Sequence, residues 1–189
     1  MVNSLKNNQS KLQKKCDELY SFDIFDTLVT RRTAIPTGIF AIMQSKLRGS
    51  KFSSLLQHNF YKIRIGSEEL ARQNKRILKK TPEVTLDDIY KVIQFNESLS
   101  DSEIVFLKKL ELENEKCNVV VLSNNLLKLK ELCKRGKRVV LISDMYLTSE
   151  QIHYIIDDLD PVFRDLKIYV SCEYGVAKHT GDLPHFLHV

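Results

Sequence analysis

A chain of 189 residues, 43% of them hydrophobic and 28% charged, can bury a core without disulfide staples and holds one α/β domain with a modest insert. No apolar run approaches the roughly 20 residues a membrane span needs, and the polar, lysine-rich start has no apolar stretch behind it, so residues 1–17 read as an N-terminal arm rather than a signal peptide. The net charge of +5 comes without a basic stripe interleaved with aromatics, so the clusters at Lys75–Lys80 and Lys128–Arg138 read as solvated helix faces and nucleic acid is not an expected partner.

Leu19-Tyr-Ser-Phe-Asp-Ile-Phe25 is rich in aromatic and β-branched residues and predicts a buried strand ending among acids. Leu28 and Val29 continue the apolar character, and Arg31-Arg32 mark a return to solvent. From Pro36 to about Glu115 the periodicity is helical. Pro36 suits a first helical position, and Ile39, Phe40, Met43 and Leu47 recur at helical spacing. Leu55, Phe60, Ile63 and Leu70 lie on a second stretch, with Gly66 as a break. Thr85 before Asp87-Asp88 predicts an N-cap with acids in the first turn, and Ser100 starts a helix carrying Ile104, Leu107, Leu110 and Leu112. Val119–Leu122 has strand propensity, but its place between helices argues against a strand.

Asn124–Arg135 reads as a helix closed by Gly136. Arg138-Val-Val-Leu-Ile142 is the clearest strand, apolar enough to be buried on both faces as in a parallel sheet. Thr148-Ser-Glu-Gln151 has capping-box spacing. Ile152, Ile155, Ile156 and Leu159 follow as a packing face, and Pro161 stops the helix. Leu166–Ser171 is the third strand. This succession is the rhythm of a right-handed βαβ sheet.

In open parallel sheets, ligands bind beyond the carboxyl ends of the strands. The polar residues there are Asp23 and Asp26-Thr27, then Ser143-Asp144, then Ser171 with Lys178 a few residues on. An aspartate can attack an electrophilic phosphorus or carbon and form a covalent ester. A hydroxyl and an ammonium can hold phosphoryl oxygens. The four cysteines (Cys16, Cys117, Cys133, Cys172) make no Cys-x-x-Cys pair and fit a reducing, cytoplasmic setting. His179, His185 and His188 have no metal-selecting spacing.

Ser21-Phe-Asp-Ile-Phe-Asp-Thr-Leu-Val29 followed by Val139-Val-Leu-Ile-Ser143 and Lys178 resembles the first three motifs of the haloacid dehalogenase superfamily, and Ser143-Asp-Met-Tyr-Leu147 resembles a bacterial branch of it. The resemblance implies a Rossmannoid three-layer α/β sandwich with a parallel sheet, made of residues 18–32 and 118–189, and an inserted all-helical cap over 33–117. It implies Asp23 as nucleophile, with Thr27, Ser143, Asp144 and Lys178 binding phosphate. Magnesium would be held by Asp23 and the Phe25 backbone carbonyl. The implied substrate is a small phosphorylated metabolite, with a sugar phosphate the class suggested by the family's context. Asp26 and Thr27 also suit a structural role in the turn after the strand.

Two departures accompany the resemblance. Phe25 stands where phosphatases of the superfamily usually carry a second aspartate that protonates the leaving oxygen; dehalogenase-like members lack it too. The acidic fourth motif that completes the magnesium site is expected well beyond Lys178, whereas Gly181-Asp182 follows too closely and Val189 is the last residue. The expectations are therefore a sheet lacking its C-terminal strands, with the first strand at an open edge, and a weakened metal site. The alternative to the phosphatase is a catalytically silent domain that binds a ligand or a partner protein.

Overall fold

The structure, a computed structural model, describes residues 18–79 and 81–175. Lys178, the three C-terminal histidines, Gly181-Asp182 and the N-terminal arm lie outside the described residues.

The first strand, β1 (Leu19–Asp23), is followed by a tight turn and a short strand β2 (Val29–Arg31). Four helices follow: α1 (Gly38–Leu47), α2 (Ser54–Lys79), α3 (Leu86–Glu97) and α4 (Asp101–Asn118). The chain returns through β3 (Val119–Val121) into α5 (Ser123–Lys134), β4 (Arg138–Ser143), α6 (Ser149–Ile156), β5 (Lys167–Val170) and a single turn α7 (Ser171–Tyr174). The main sheet is parallel, in the order β1-β4-β5. Among the described residues β1 is its edge, and Ser21 at mid-strand is exposed.

Val119–Val121 is a strand after all: it pairs antiparallel with β2, Val29 opposite Val121 and Arg31 opposite Val119. Local periodicity could not show this, because the partner lies some 90 positions upstream, where the chain leaves for the helices. The ribbon is extended at both ends by Arg32 N–H donating to Asn118 O (2.8 Å) and Leu122 N–H donating to Leu28 O (2.8 Å).

The capping box anticipated at Thr148 is present, and the helix starts read at Thr85 and Ser100 are capping boxes too. Thr85 with Asp88, Ser100 with Glu103 and Thr148 with Gln151 exchange side-chain and backbone bonds. Asp88 also pairs with Lys75 at 2.8 Å, and these partners outweigh burial to hold its carboxyl below the usual range. Gly136, at φ +67°, ends α5, with Gly136 N–H and Lys137 N–H donating to Cys133 O and Leu132 O.

Several local readings need correction. Gly66 breaks nothing; α2 runs through it for 26 residues. The buried face of α2 is Leu56, Phe60, Arg64, Ser67 and Ala71, while Leu55 and Leu70 face water. Pro36 precedes α1 by two residues, in a turn whose carbonyl accepts from Ile39 N–H. Pro161 opens a 3-10 turn instead of stopping α6, which has already ended at Ile156. Ser171 begins α7 rather than extending β5.

The main core joins Leu141, Ile168 and Val170 of the sheet to α5 and α6 and continues into the four inserted helices. The opposite sheet face carries a smaller cluster of Val140 and Ile142 packed with Leu19 and Tyr169.

At the junction of insert and core lies Arg64, fully buried. Its guanidinium makes two bonds of 2.9 Å to Glu111 and a third of 3.1 Å to Glu68. It lies 4.4 Å from the Phe40 ring centroid and 4.7 Å from that of Tyr146. Tyr90 OH donates to Glu111 at 2.7 Å. Burial disfavours the charge, but Glu111 and the tyrosines leave Arg64 more firmly protonated than a free arginine. Removing one member strands a buried charge, which typically costs about 3–5 kcal/mol.

Two stability changes are expected. In urea unfolding, Arg64→Met alone loses about 3–5 kcal/mol, and Arg64→Met with Glu111→Leu recovers much of it; a loss below about 1 kcal/mol for the single variant would refute the role given to this pair. Gly66→Ala gains about 0.5–1 kcal/mol, since a Cβ there meets nothing within 4 Å; a drop in melting temperature would show that the glycine is needed.

Candidate active site

The turn after β1 is built around one carbonyl. Ile24 O accepts from Leu28 N–H (2.9 Å), Val29 N–H (3.0 Å) and Thr27 N–H (3.4 Å). Asp26 takes the left-handed conformation at φ +60°, which a short polar side chain tolerates better than most. Its carboxylate accepts from Thr30 Oγ1 at 2.8 Å, and its N–H donates to Val29 O. Asp26 therefore closes the turn. Thr27 turns back towards the strand: its Oγ1 donates to Asp23 Oδ2 at 3.0 Å, and its carbonyl accepts from Asn125 Nδ2 at 2.8 Å. The Thr27 hydroxyl thus helps to orient the Asp23 carboxylate.

The parallel register sets Asp23 opposite Ile142, so Ser143, at 3% exposure, and Asp144 follow beside it at the end of the neighbouring strand. Asp23, Ser143 and Asp144 line a cavity of about 420 Å³ at the carboxyl end of the sheet. The inserted helices and their approach supply its other walls, through Thr37, Phe40, Glu68 and Arg72. Of the residues singled out from sequence, the structure brings Asp23, Phe25, Ser143 and Asp144 to one cavity, places Thr27 behind Asp23, and does not describe Lys178.

Arg31 does not return to solvent. Its side chain is 9% exposed and lies over the Phe25 ring, 4.5 Å from the centroid. It makes a bidentate pair with Glu115, Nε to Oε2 at 2.8 Å and Nη2 to Oε1 at 3.0 Å. Burial pushes the Glu115 carboxyl up, and the Arg31 fork works against that; Arg31 itself is held charged by Glu115 in spite of burial. Arg72 is similarly occupied, with Glu68 Oε1 at 2.8 Å and Pro82 O at 3.1 Å.

Sequence reading missed Arg31, Glu115, Arg72 and Tyr146 as cavity residues. Tyr146 stood inside the Ser143–Leu147 motif and offered a signal. Glu115 offered none, because it lies 84 positions from its partner.

Magnesium can be tested against these residues. Among the described residues no group of three His, Cys, Asp or Glu side chains is placed to hold a metal. The available set is Asp23, the Phe25 carbonyl and the adjoining Asp144, which suits magnesium only when substrate phosphate and water complete the shell. Among the described residues no helix is long and apolar enough to cross a membrane.

No protein-family model matches the chain, and no curated protein matches it either. Solved structures do. A dehalogenase crystal structure superposes with a TM-score of 0.51 at 11% identity, over 91% of this chain and 70% of the other. The L-2-haloacid dehalogenase of Xanthobacter autotrophicus, with chloropropionic acid covalently bound, superposes with a TM-score of 0.52 at 9% identity, over 89% of this chain and 62% of the other. At such identities the likeness is one of architecture, and the chain has the haloacid dehalogenase fold.

Proposed function

We propose that the chain is a hydrolase of the haloacid dehalogenase superfamily, acting as a phosphatase on a small phosphorylated metabolite through a covalent ester on Asp23. The observation that carries this reading is the Asp23 carboxylate, oriented by Thr27 and set beside Ser143 at the mouth of a cavity where two parallel strands end.

Asp23 Oδ1, the oxygen not bonded to Thr27, attacks phosphorus. The bond to the ester oxygen breaks, and the leaving group departs with its electron pair. Water then attacks the aspartyl phosphate, restoring the carboxylate and releasing inorganic phosphate. Ser143 Oγ donates to a phosphoryl oxygen, and Lys178 adds positive charge by the resemblance already given. Magnesium, when bound beside Asp23 and the Phe25 carbonyl, balances phosphate charge. Phe25 has no proton to give, so the leaving group takes its proton from water, and general-acid help worth about 10²–10⁴ in rate is lost. Good leaving groups are accordingly the best substrates.

Phe25 also favours a second reading. A dehalogenase attacks carbon and expels halide, which needs neither a leaving-group acid nor a metal.

Three outcomes are expected. p-Nitrophenyl phosphate is hydrolysed with magnesium, and Asp23→Asn abolishes turnover without lowering the melting temperature. Thr27→Val, which removes one of the bonds that orient the carboxylate, lowers kcat by about ten- to a hundredfold. Calorimetric titration with magnesium alone gives weak binding that strengthens when inorganic phosphate is present. Turnover that resists EDTA on a 2-haloacid would transfer the proposal to dehalogenation; folded protein inert towards both substrates would leave the silent domain.

A further inference from the structure

Tyr146 is a hydrogen-bonding group of the cavity that the reaction does not use. It lines the cavity together with Asp23 and Ser143 and is 9% exposed, yet its hydroxyl has no hydrogen-bond partner among the described residues. The residue is firmly held. The Arg64 guanidinium lies over its ring at 4.7 Å, and its carbonyl accepts from Leu86 N–H at 2.8 Å, at the start of α3. The hydroxyl opens onto the cavity, so an acceptor on a ligand exchanges with solvent there, the modest net gain of one hydrogen bond. Burial, then the carboxylates of Glu111, Glu115 and Glu68, push the phenol far above its ordinary value, so it stays a neutral donor at any working pH.

The charges around it narrow what the acceptor is. Among the described residues, five carboxylates and two guanidiniums line the cavity. Neither guanidinium is uncommitted: Arg31 is forked onto Glu115, and Arg72 is bound to Glu68 and to Pro82 O. Away from the reacting phosphate, a second anionic group on the substrate would meet, among the described residues, carboxylates and no uncompensated cation, which is repulsive at short range. A hydroxyl, ether or carbonyl oxygen meets no such penalty.

We propose that Tyr146 is the specificity residue of this cavity, donating a hydrogen bond to an uncharged oxygen on the non-reacting part of the substrate, and that the cavity takes compounds with a single anionic group in preference to those with two. This rests on the phosphomonoester reading above, but it concerns binding and is tested without turnover.

The experiment is calorimetric titration of the full chain, as Asp23→Asn and as Asp23→Asn with Tyr146→Phe, in magnesium buffer. Three probes are used: glycerol 1-phosphate (a monophosphate bearing hydroxyls), phenyl phosphate (one bearing none) and fructose 1,6-bisphosphate. Tyr146→Phe keeps the ring under Arg64, and an unchanged melting temperature verifies the fold. The expected result is that removing the hydroxyl weakens glycerol 1-phosphate by about five- to tenfold, leaves phenyl phosphate within about twofold, and that the bisphosphate binds at least about tenfold more weakly than glycerol 1-phosphate. Equal losses for the two monophosphates, no loss for either, a bisphosphate that binds as tightly, or no binding of any probe by folded protein would each overturn the inference. Binding in the expected pattern with no hydrolysis by the unsubstituted chain would instead overturn the phosphatase reading and leave Tyr146 in its role.

Discussion

A guanidinium removed from water must be surrounded by acceptors and ring faces, and meeting that demand at Arg64 ties the molecule together. The cation draws Glu111 from α4, Glu68 from its own helix, Phe40 from α1 and Tyr146 from the loop after β4. Tyr90 of α3 completes the Glu111 carboxylate. All four inserted helices therefore meet the loop that follows Ser143 and carries Asp144 at one buried charge. Such a pair is weak support for overall stability when weighed against a hydrophobic replacement, but it is demanding about geometry. The wall of the cavity inherits that definition, because Tyr146 belongs to both.

The turn between β1 and β2 solves a second problem. Asp23 must end a strand of the parallel sheet, yet the chain must leave the core within a few residues to build the insert. Ile24 O gathers three N–H groups, and Asp26 accepts a left-handed backbone. The antiparallel pairing of β2 with β3 then closes the excursion where it began. Closing a loop of that length costs little more than closing a shorter one, since the entropic cost grows only with the logarithm of length. The Arg31–Glu115 fork sits beside this ribbon, so the same closure places Arg31 over Phe25.

The cavity thus has two ends with different chemistry. At the sheet end a carboxylate, a hydroxyl and a second carboxylate gather around the carboxyl termini of β1 and β4, suited to an electrophile bearing charge that a metal ion or lysine offsets. At the insert end, aromatic faces and two internally neutralised ion pairs surround the Tyr146 hydroxyl. Phe25 lies between them, an apolar group where acid–base chemistry is expected by resemblance, with a cation on its ring in place of water.

The sequence by itself determined the elements whose signals are local. Runs of apolar, aromatic and β-branched residues marked β1, β4 and β5. Thr85 before Asp87-Asp88, Ser100 before an apolar repeat and the Thr148–Gln151 spacing marked the starts of α3, α4 and α6, because a cap is satisfied within one turn of chain. The motif around Asp23 and Ser143 was legible for the same reason: each half is contiguous. Only the tertiary structure decided the rest. Val119–Val121 became a strand because Val29–Arg31 was there to pair with it. Arg31 and Arg64 became buried because Glu115 and Glu111, 84 and 47 positions away, removed the cost of enclosing them. Gly66 stayed helical because α2 is held by its packing face, not by its propensities. Charge burial and strand pairing depend on partners distant in sequence, and a periodicity read along one segment has no access to them.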